Sequence, residues 1–590
     1  MAFRYQAVLL ALAVSACATP VAGTHRETTE DARFRAIYEA EWAWRTGLGP
    51  PEEEDDTPLE TAAQTWAKVD PATQAERLAY LTDVERRLDG LAVARLSPDG
   101  AENLAIFRAQ IDVRLNQLRF REWEKPLTAD TAFWQGPAAS TPKLFRTEAA
   151  ARAWIARLHD LPRYFNDQTA NMRAGLARGF TPPQVTLQGR ELSISAAYEG
   201  KTPETSAFYE PYKTLPASIP AETRAALQRE AKEVIGAQVF PAYRTLFAYF
   251  KDDYMPRART ELAAVSLPDG PAYYQSLIKE YATVDMSAEE IHQYGLSEVA
   301  RIRAEMEATM RQTGFTGDFP AFLAFLRSDP QFYARTPEEL LMRAAWIAKK
   351  FDGVASRYFG RLPRSRFAII PVPPEIAPFY TAGRGGSGTY LVNTYNLPSR
   401  PLYALPALTL HESAPGHAFQ MPLAAEQRGQ PEFRRTAYIS AFGEGWALYC
   451  ELLGEEMGIY ETPYEKFGML SYQMWRAARL VVDTGIHAKG WTRDQGQEFF
   501  RVNTALPLHE IVTEVDRYIS WPGQALSYYL GEKEILEGRR RSEAALGASF
   551  DLRNFHDMVL ATGSVPLPVL RARIDRFIAE GGKSPYPPQE

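Results

Sequence analysis

Cysteine is nearly missing from this chain: 590 residues carry two, Cys17 and Cys450. A disulfide framework is therefore excluded as the source of its stability. Long apolar runs are missing too. The stretch Ala7–Ala16 is too short to cross a bilayer comfortably, and no other segment reads as a span. A large excess of charge of one sign is missing as well. The net charge is −7 and no extended basic stripe occurs, which gives no support to nucleic-acid binding. Neither a short-period repeat nor a long low-complexity linker is found.

What is present is ordinary for a large folded body, with 45% hydrophobic and 24% charged residues and hence a substantial core. Simple division suggests about four domains, but helical patterns follow one another too closely for beads on a string. They run over 59–91, 102–124, 148–178, 221–254, 287–313, 337–359, 438–458, 471–489, 493–503, 508–518, 524–545 and 568–578. The expectation is one mainly α body over 31–590, whole or divided into two lobes. The acidic, proline-bearing stretch 49–58 reads as a solvated turn.

The N-terminus reads as an address. Arg4, the apolar Ala7–Ala16 and the small residues Val14-Ser15-Ala16 before Cys17 make an export signal over 1–16. Val-Ser-Ala-Cys resembles a bacterial lipobox, which implies cleavage before Cys17 and lipidation of it. Residues 17–30 become a tether, the lipid the sole membrane attachment, and the location the cell envelope on the periplasmic face of the outer membrane. Plain secretion with a free Cys17 is the other reading. Cys450 is expected buried.

The densest chemistry is His411-Glu412-Ser413-Ala414-Pro415-Gly416-His417, which follows the apolar run 402–410. Neutral imidazoles bind Zn²⁺, and a carboxylate beside them can accept a proton from water that the metal has acidified. The familiar zinc spacing is His-Glu-x-x-His, whereas here the histidines stand six apart. On a regular helix, six positions turn through roughly 600°, leaving the rings about 120° apart. Pro415 clashes with the preceding turn and Gly416 permits unusual dihedrals, so a broken helix is expected to swing His417 back towards His411. The alternative is a buried helix end with hydrogen-bonded histidines.

A third ligand is available in Gly443-Glu444-Gly445-Trp446, 27 residues beyond His417. Two histidines and a carboxylate form a common zinc set that leaves a place for water. The flanking glycines admit another backbone close to Glu444, and a carboxylate among Phe442, Trp446 and Leu448 is costly to bury unpaired. An ion pair with an arginine is its structural alternative. Glu451, seven residues on, is a reserve ligand.

Together the segments HESAPGH, GEGWALY, VDTGIHAKGW and EVDRYISWPGQALSYYLG resemble a bacterial family catalogued as domain of unknown function eight hundred eighty-five. That family is similar to distant relatives of helical zinc peptidases such as angiotensin-converting enzyme and carboxypeptidase Taq. The resemblance implies a helical fold with a deep channel, and zinc on His411, His417 and Glu444 with Glu412 as general base. It also implies that Tyr528, late in the chain, stabilises the tetrahedral intermediate and that His487 assists at the oxyanion. His487 otherwise reads as a helix C-terminal cap.

Two β-rich runs, 367–373 and 388–394, flank the glycine-rich stretch 383–388 and read as a small sheet before the metal helix. Pairing of an extended substrate with Gly388–Thr394 assigns Tyr390 and Asn393 to substrate binding; a structural hairpin is the plain alternative. Arg384 and Arg517 are candidates for a substrate carboxylate, with solvation or pairing to an acid as the alternatives. The implied activity is zinc-dependent hydrolysis of peptide bonds. A zinc amidase acting on cell-wall peptides and a non-catalytic lipoprotein are the competing readings.

Overall fold

A computed structural model describes residues 28–47, 65–374, 377–427, 429–561 and 563–586. The signal, Cys17, most of the tether and the acidic stretch 49–58 lie outside the described residues. The protein is mainly α, with one three-stranded sheet among the described residues. The elements that matter below are α1 (Thr29–Gly47), α2 (Pro71–Asp89), α3 (Pro98–Arg119), α4 (Glu148–Arg178), α5 (Ala288–Gln312) and α6 (Pro337–Tyr358). The strands follow as β1 (Ala368–Pro371), β2 (Gly383–Gly386) and β3 (Thr389–Val392). Then come α7 (Leu405–Glu412), α8 (His417–Ala425), α9 (Ser440–Glu456), α10 (Pro463–Lys489), α11 (Leu508–Ser520) and α12 (Ser527–Leu546).

Local chemistry sets many of these ends. Thr462 and Glu465 form a reciprocal cap at the start of α10, Pro463 takes its first turn, and Gly490 closes it at φ 72°, the left-handed conformation that glycine adopts freely. Ser287 and Glu290 start α5 in the same way. Among the described residues the buried apolar side chains gather in two clusters. One lies within 66–258 around Trp134, Trp154 and Tyr243. The other spans 34–577 and contains α10. Every residue of α10 from Phe467 to His487 is buried, so this helix is the shaft of the larger core. Helix α5 lies along it, close enough that a Cβ on Gly295 would stand 2.8 Å from Leu480 Cβ.

Two expectations need correction here. The glycine-rich stretch is itself a strand, β2, and the sheet order is β1-β3-β2. Strand β3 pairs in parallel with β1 and antiparallel with β2. Both edges of 389–392 are thus occupied, and that segment cannot offer an edge to a peptide. Helix α1 begins at Thr29, at the end of the segment 17–30 read as tether.

Candidate metal centre

Helix α7 stops at Glu412 and α8 starts at His417. Between them the chain leaves helical geometry, with ψ −120° at Ser413 and −133° at Gly416. The turn is tight. Gly416 N–H donates to Leu410 O at 3.0 Å, and a Cβ on Gly416 would lie 1.9 Å from His411 O, so only glycine fits. The indole of Trp446 donates to Pro415 O at 2.8 Å and fastens the break to α9.

This interruption brings the two histidines together. Their ring centroids are 5.0 Å apart at 86°. Glu444 comes from α9, which meets α12 backbone to backbone: a Cβ on Gly445 would lie 2.4 Å from Gly531 C. Its Oε2 stands 3.4 Å from both His411 Nε2 and His417 Nε2. One donor atom from each residue falls within 4.8 Å of the others. His411 and His417 are buried, and the Glu444 side chain is 13% exposed.

Hydrogen bonding fixes His411 further. Its Nδ1 lies 2.8 Å from Oε1 of the fully buried Glu451. With Nδ1 donating to that carboxylate, Nε2 is the ring nitrogen left facing Glu444. Glu451 is therefore not a reserve ligand. It sits behind the His411 ring, where carboxylates commonly orient a histidine that holds a metal. Arg476 Nη2 sits 3.5 Å from the same oxygen. Among the described residues His417 has no such support, and its buried Nδ1 finds no partner there.

Lone pairs from two imidazoles and a carboxylate converging in a buried site repel unless a cation or protons intervene. The titration of the groups reflects this. Burial opposes charge on His411, yet hydrogen bonds to Glu444 and Glu451 and the nearby Glu412 push it up to about 10. Burial likewise opposes ionisation of Glu444, but His417 and His411 hold it well below the usual carboxylate range. Nitrogen and oxygen donors in this number suit a zinc ion.

Glu412 is half-buried beside the cluster. Its Oε2 accepts from Gly385 N–H in β2 at 2.6 Å. A Cβ on Gly385 would lie 1.7 Å from Glu412 O, so the glycine lets β2 reach the acid. Tyr528 also reaches the site. Its ring lies nearly parallel to His411 at 6.3 Å and over the Arg479 guanidinium at 4.2 Å. Arg517 stands beside the Tyr528 hydroxyl, donates to Gln524 Oε1 at 2.6 Å and pairs with Glu514 at 3.4 Å.

Three other expected site residues have structural employment. His487 Nδ1 accepts from Ala264 N–H at 3.1 Å, and its Nε2–H donates to Tyr518 O at 2.8 Å. Burial drives its basicity down to about 3, so it stays neutral with neither nitrogen free for an oxyanion. Asn393 is buried, donating to the carbonyls of Ala377, Tyr380 and Thr381 and accepting from Tyr395 N–H. Tyr390 is fully buried, its hydroxyl 3.4 Å from Thr409 Oγ1. Arg384 is exposed beside the Tyr380 hydroxyl.

Sequence reasoning missed Tyr438, which donates to Glu444 Oε1 at 3.0 Å. It also missed the layer beneath Tyr528. There Arg479 donates to Tyr518 Oη at 2.8 Å and Glu514 Oε2 at 2.9 Å.

The fold and site thus define a large helical protein with a candidate two-histidine, one-glutamate metal centre. The chain belongs to the family described as bacterial protein of unknown function, DUF885, whose model matches residues 42–574. Among solved structures it is similar to a candidate lipoprotein from Colwellia psychrerythraea, 26% identical with a TM-score of 0.82 over 93% of this chain and 98% of that one. A candidate lipoprotein of unknown function from Shewanella oneidensis shares the fold at 16% identity, with a TM-score of 0.70 over 92% and 98% of the two chains. No curated protein matches.

Proposed function

We propose that this protein is a zinc-dependent hydrolase of peptide bonds in the bacterial cell envelope, related to the helical zinc peptidases. The observation that carries the reading is the meeting of His411, His417 and Glu444 donor atoms within 4.8 Å, with Glu412 alongside. A zinc ion held there would supply a Lewis acid that polarises a carbonyl and makes water acidic near neutral pH.

The chain's own residues do the rest. Glu412 is anchored through Oε2 by Gly385. It takes a proton from the attacking water and delivers it to the leaving amine. The Tyr528 hydroxyl donates to the carbonyl oxygen as charge develops, a contribution of about 3 kcal/mol for a donor of this kind. His487 has no part in this, its nitrogens being committed to backbone. A structural zinc site is normally closed by four protein ligands, whereas three converge here among the described residues, which favours an open centre over a structural one. The signal and lipobox-like Cys17, with the lipoprotein descriptions of two relatives, support an exported, lipid-anchored protein.

Glu412→Gln is expected to keep zinc and lose hydrolysis of a mixed peptide library, whereas His411→Ala loses both. Turnover at the wild-type rate in the Gln variant removes Glu412 from the role. Cleavage of muropeptides but not of the library would redirect the reading to a cell-wall amidase.

A further inference from the structure

The two oxygens of Glu444 have different neighbours. Oε2 faces His411 and His417, whereas Oε1 accepts from the Tyr438 hydroxyl at 3.0 Å. Tyr438 lies outside α9, two residues before it begins, and about half of its surface faces solvent. Three features hold it in place. Ser564 Oγ receives Ile439 N–H at 2.8 Å and donates to Ile439 O at 3.3 Å, which pins the adjoining backbone from both sides. Ser440 Oγ donates to Ser527 Oγ at 2.8 Å, tying the start of α9 to the residue before Tyr528. The phenol ring packs against Gly443, where a Cβ would stand 2.5 Å from Cε2 and 2.8 Å from Oη.

We infer that Tyr438 is a positioning residue that occupies Glu444 Oε1, so that the carboxylate offers the metal one oxygen. This rests on the proposed metal centre and adds to it. A carboxylate can bind through one oxygen or two, and a two-oxygen mode fills the place that a catalytic centre keeps for water and substrate. A phenol bound to the outer oxygen opposes that mode, much as a carboxylate behind a histidine fixes its ring. The same contact gives Gly443 its purpose, which is to leave room for the ring, while Gly445 makes room for α12.

Two variants disturb the contact by opposite means. Tyr438→Phe keeps the ring and loses the hydroxyl. Gly443→Ala keeps the hydroxyl and displaces the ring, at a position where alanine favours helix over glycine. The full-length protein is stripped of metal, titrated with Zn²⁺ by competition against a chelator of known affinity, and then loaded with Co²⁺ for its visible spectrum. Both variants are expected to bind Zn²⁺ roughly 10- to 100-fold more weakly than wild type. Their Co²⁺ bands should weaken as the coordination number rises, with the melting temperature of the metal-free protein preserved. Unchanged Zn²⁺ affinity and Co²⁺ spectra in both variants overturn the role of Tyr438 while leaving the metal centre standing. A wild-type chain that takes up neither ion overturns both.

Discussion

At the scale of single residues, the site depends on which atom of each side chain is left free. Glu451 makes the His411 Nε2 lone pair available by taking the proton side of the ring at 2.8 Å. Glu451→Ala should therefore lower Zn²⁺ affinity by roughly 10- to 100-fold although the residue is no ligand, measurable by chelator competition. An affinity equal to wild type would contradict the assigned orientation of His411. The same logic explains which site residues were legible in the sequence. His411, Glu412, His417 and Glu444 are legible because donor type, the Pro415-Gly416 break between the histidines and the family motifs point to one cation. His487 and Asn393 look equally functional as letters. Their partners are backbone groups of Ala264, Tyr518, Ala377, Tyr380 and Thr381, and pattern in one segment cannot anticipate them. Tyr438 has no spacing rule tying it to Glu444.

At the scale of elements, α10 acts as a polar spine inside an apolar shaft. Arg476, Arg479, Asp483 and His487 recur every three or four residues and so share one face. Along it they reach Glu451, Glu514, Gly523 N–H and Tyr518 O in turn. The last three partners lie on α11 and on the turn between α11 and α12, which carry Arg517 and lead to Tyr528. Asp483 gives this spine a pH signature. Burial lifts its carboxyl to about 7 against hydrogen bonds from Tyr274 and Gly523. Between about pH 4 and pH 7 the folded chain keeps a proton there that the unfolded chain has released. Stability therefore falls as pH rises across that window, by at most about 1.4 kcal/mol per unit from this group, and levels off above it. Asp483→Asn should flatten that part of the profile in denaturant melts, and an unaltered slope would remove Asp483 as its source. The crossing of α9 and α12 gives a second test. A Cβ on Gly531 would lie 1.8 Å from Ala441 O, so Gly531→Ala must push the helices apart. A loss of about 1–3 kcal/mol is expected, read as a lower denaturation midpoint; a midpoint at the wild-type value would contradict the close packing.

Elements were legible where caps mark them. Helix α4 runs over Glu148–Arg178 between Thr147 and the left-handed Gly179, and the pattern over 148–178 had the same ends. The helix Gly270–Ala282 carries no such mark, since Asp269 just before it makes no side-chain capping bond. Helix α1 is polar enough that its first residues read as tether. Strand β2 looked like a turn because Gly383, Gly385 and Gly386 lack the side chains by which strands are recognised. Its role depends on that lack, since Gly385 admits Glu412.

At the scale of the whole molecule, the candidate metal centre lies where α7, α8 and α9 meet, with β2 and α12 against them. Binding there should therefore act on the stability of the larger core. An ion that binds only the folded chain stabilises it by about 2.7 kcal/mol at one hundred times its dissociation constant. Chelation should lower the melting temperature of the wild-type protein, and His411→Ala should abolish that response.

The central claim is most directly tested by the zinc content of the purified protein, measured by elemental analysis against protein concentration. The expected result is one zinc per chain in the wild type, with none retained by His411→Ala, His417→Ala or Glu444→Ala. A wild-type chain that stays empty when offered zinc, or three variants that load as well as it does, would contradict the account.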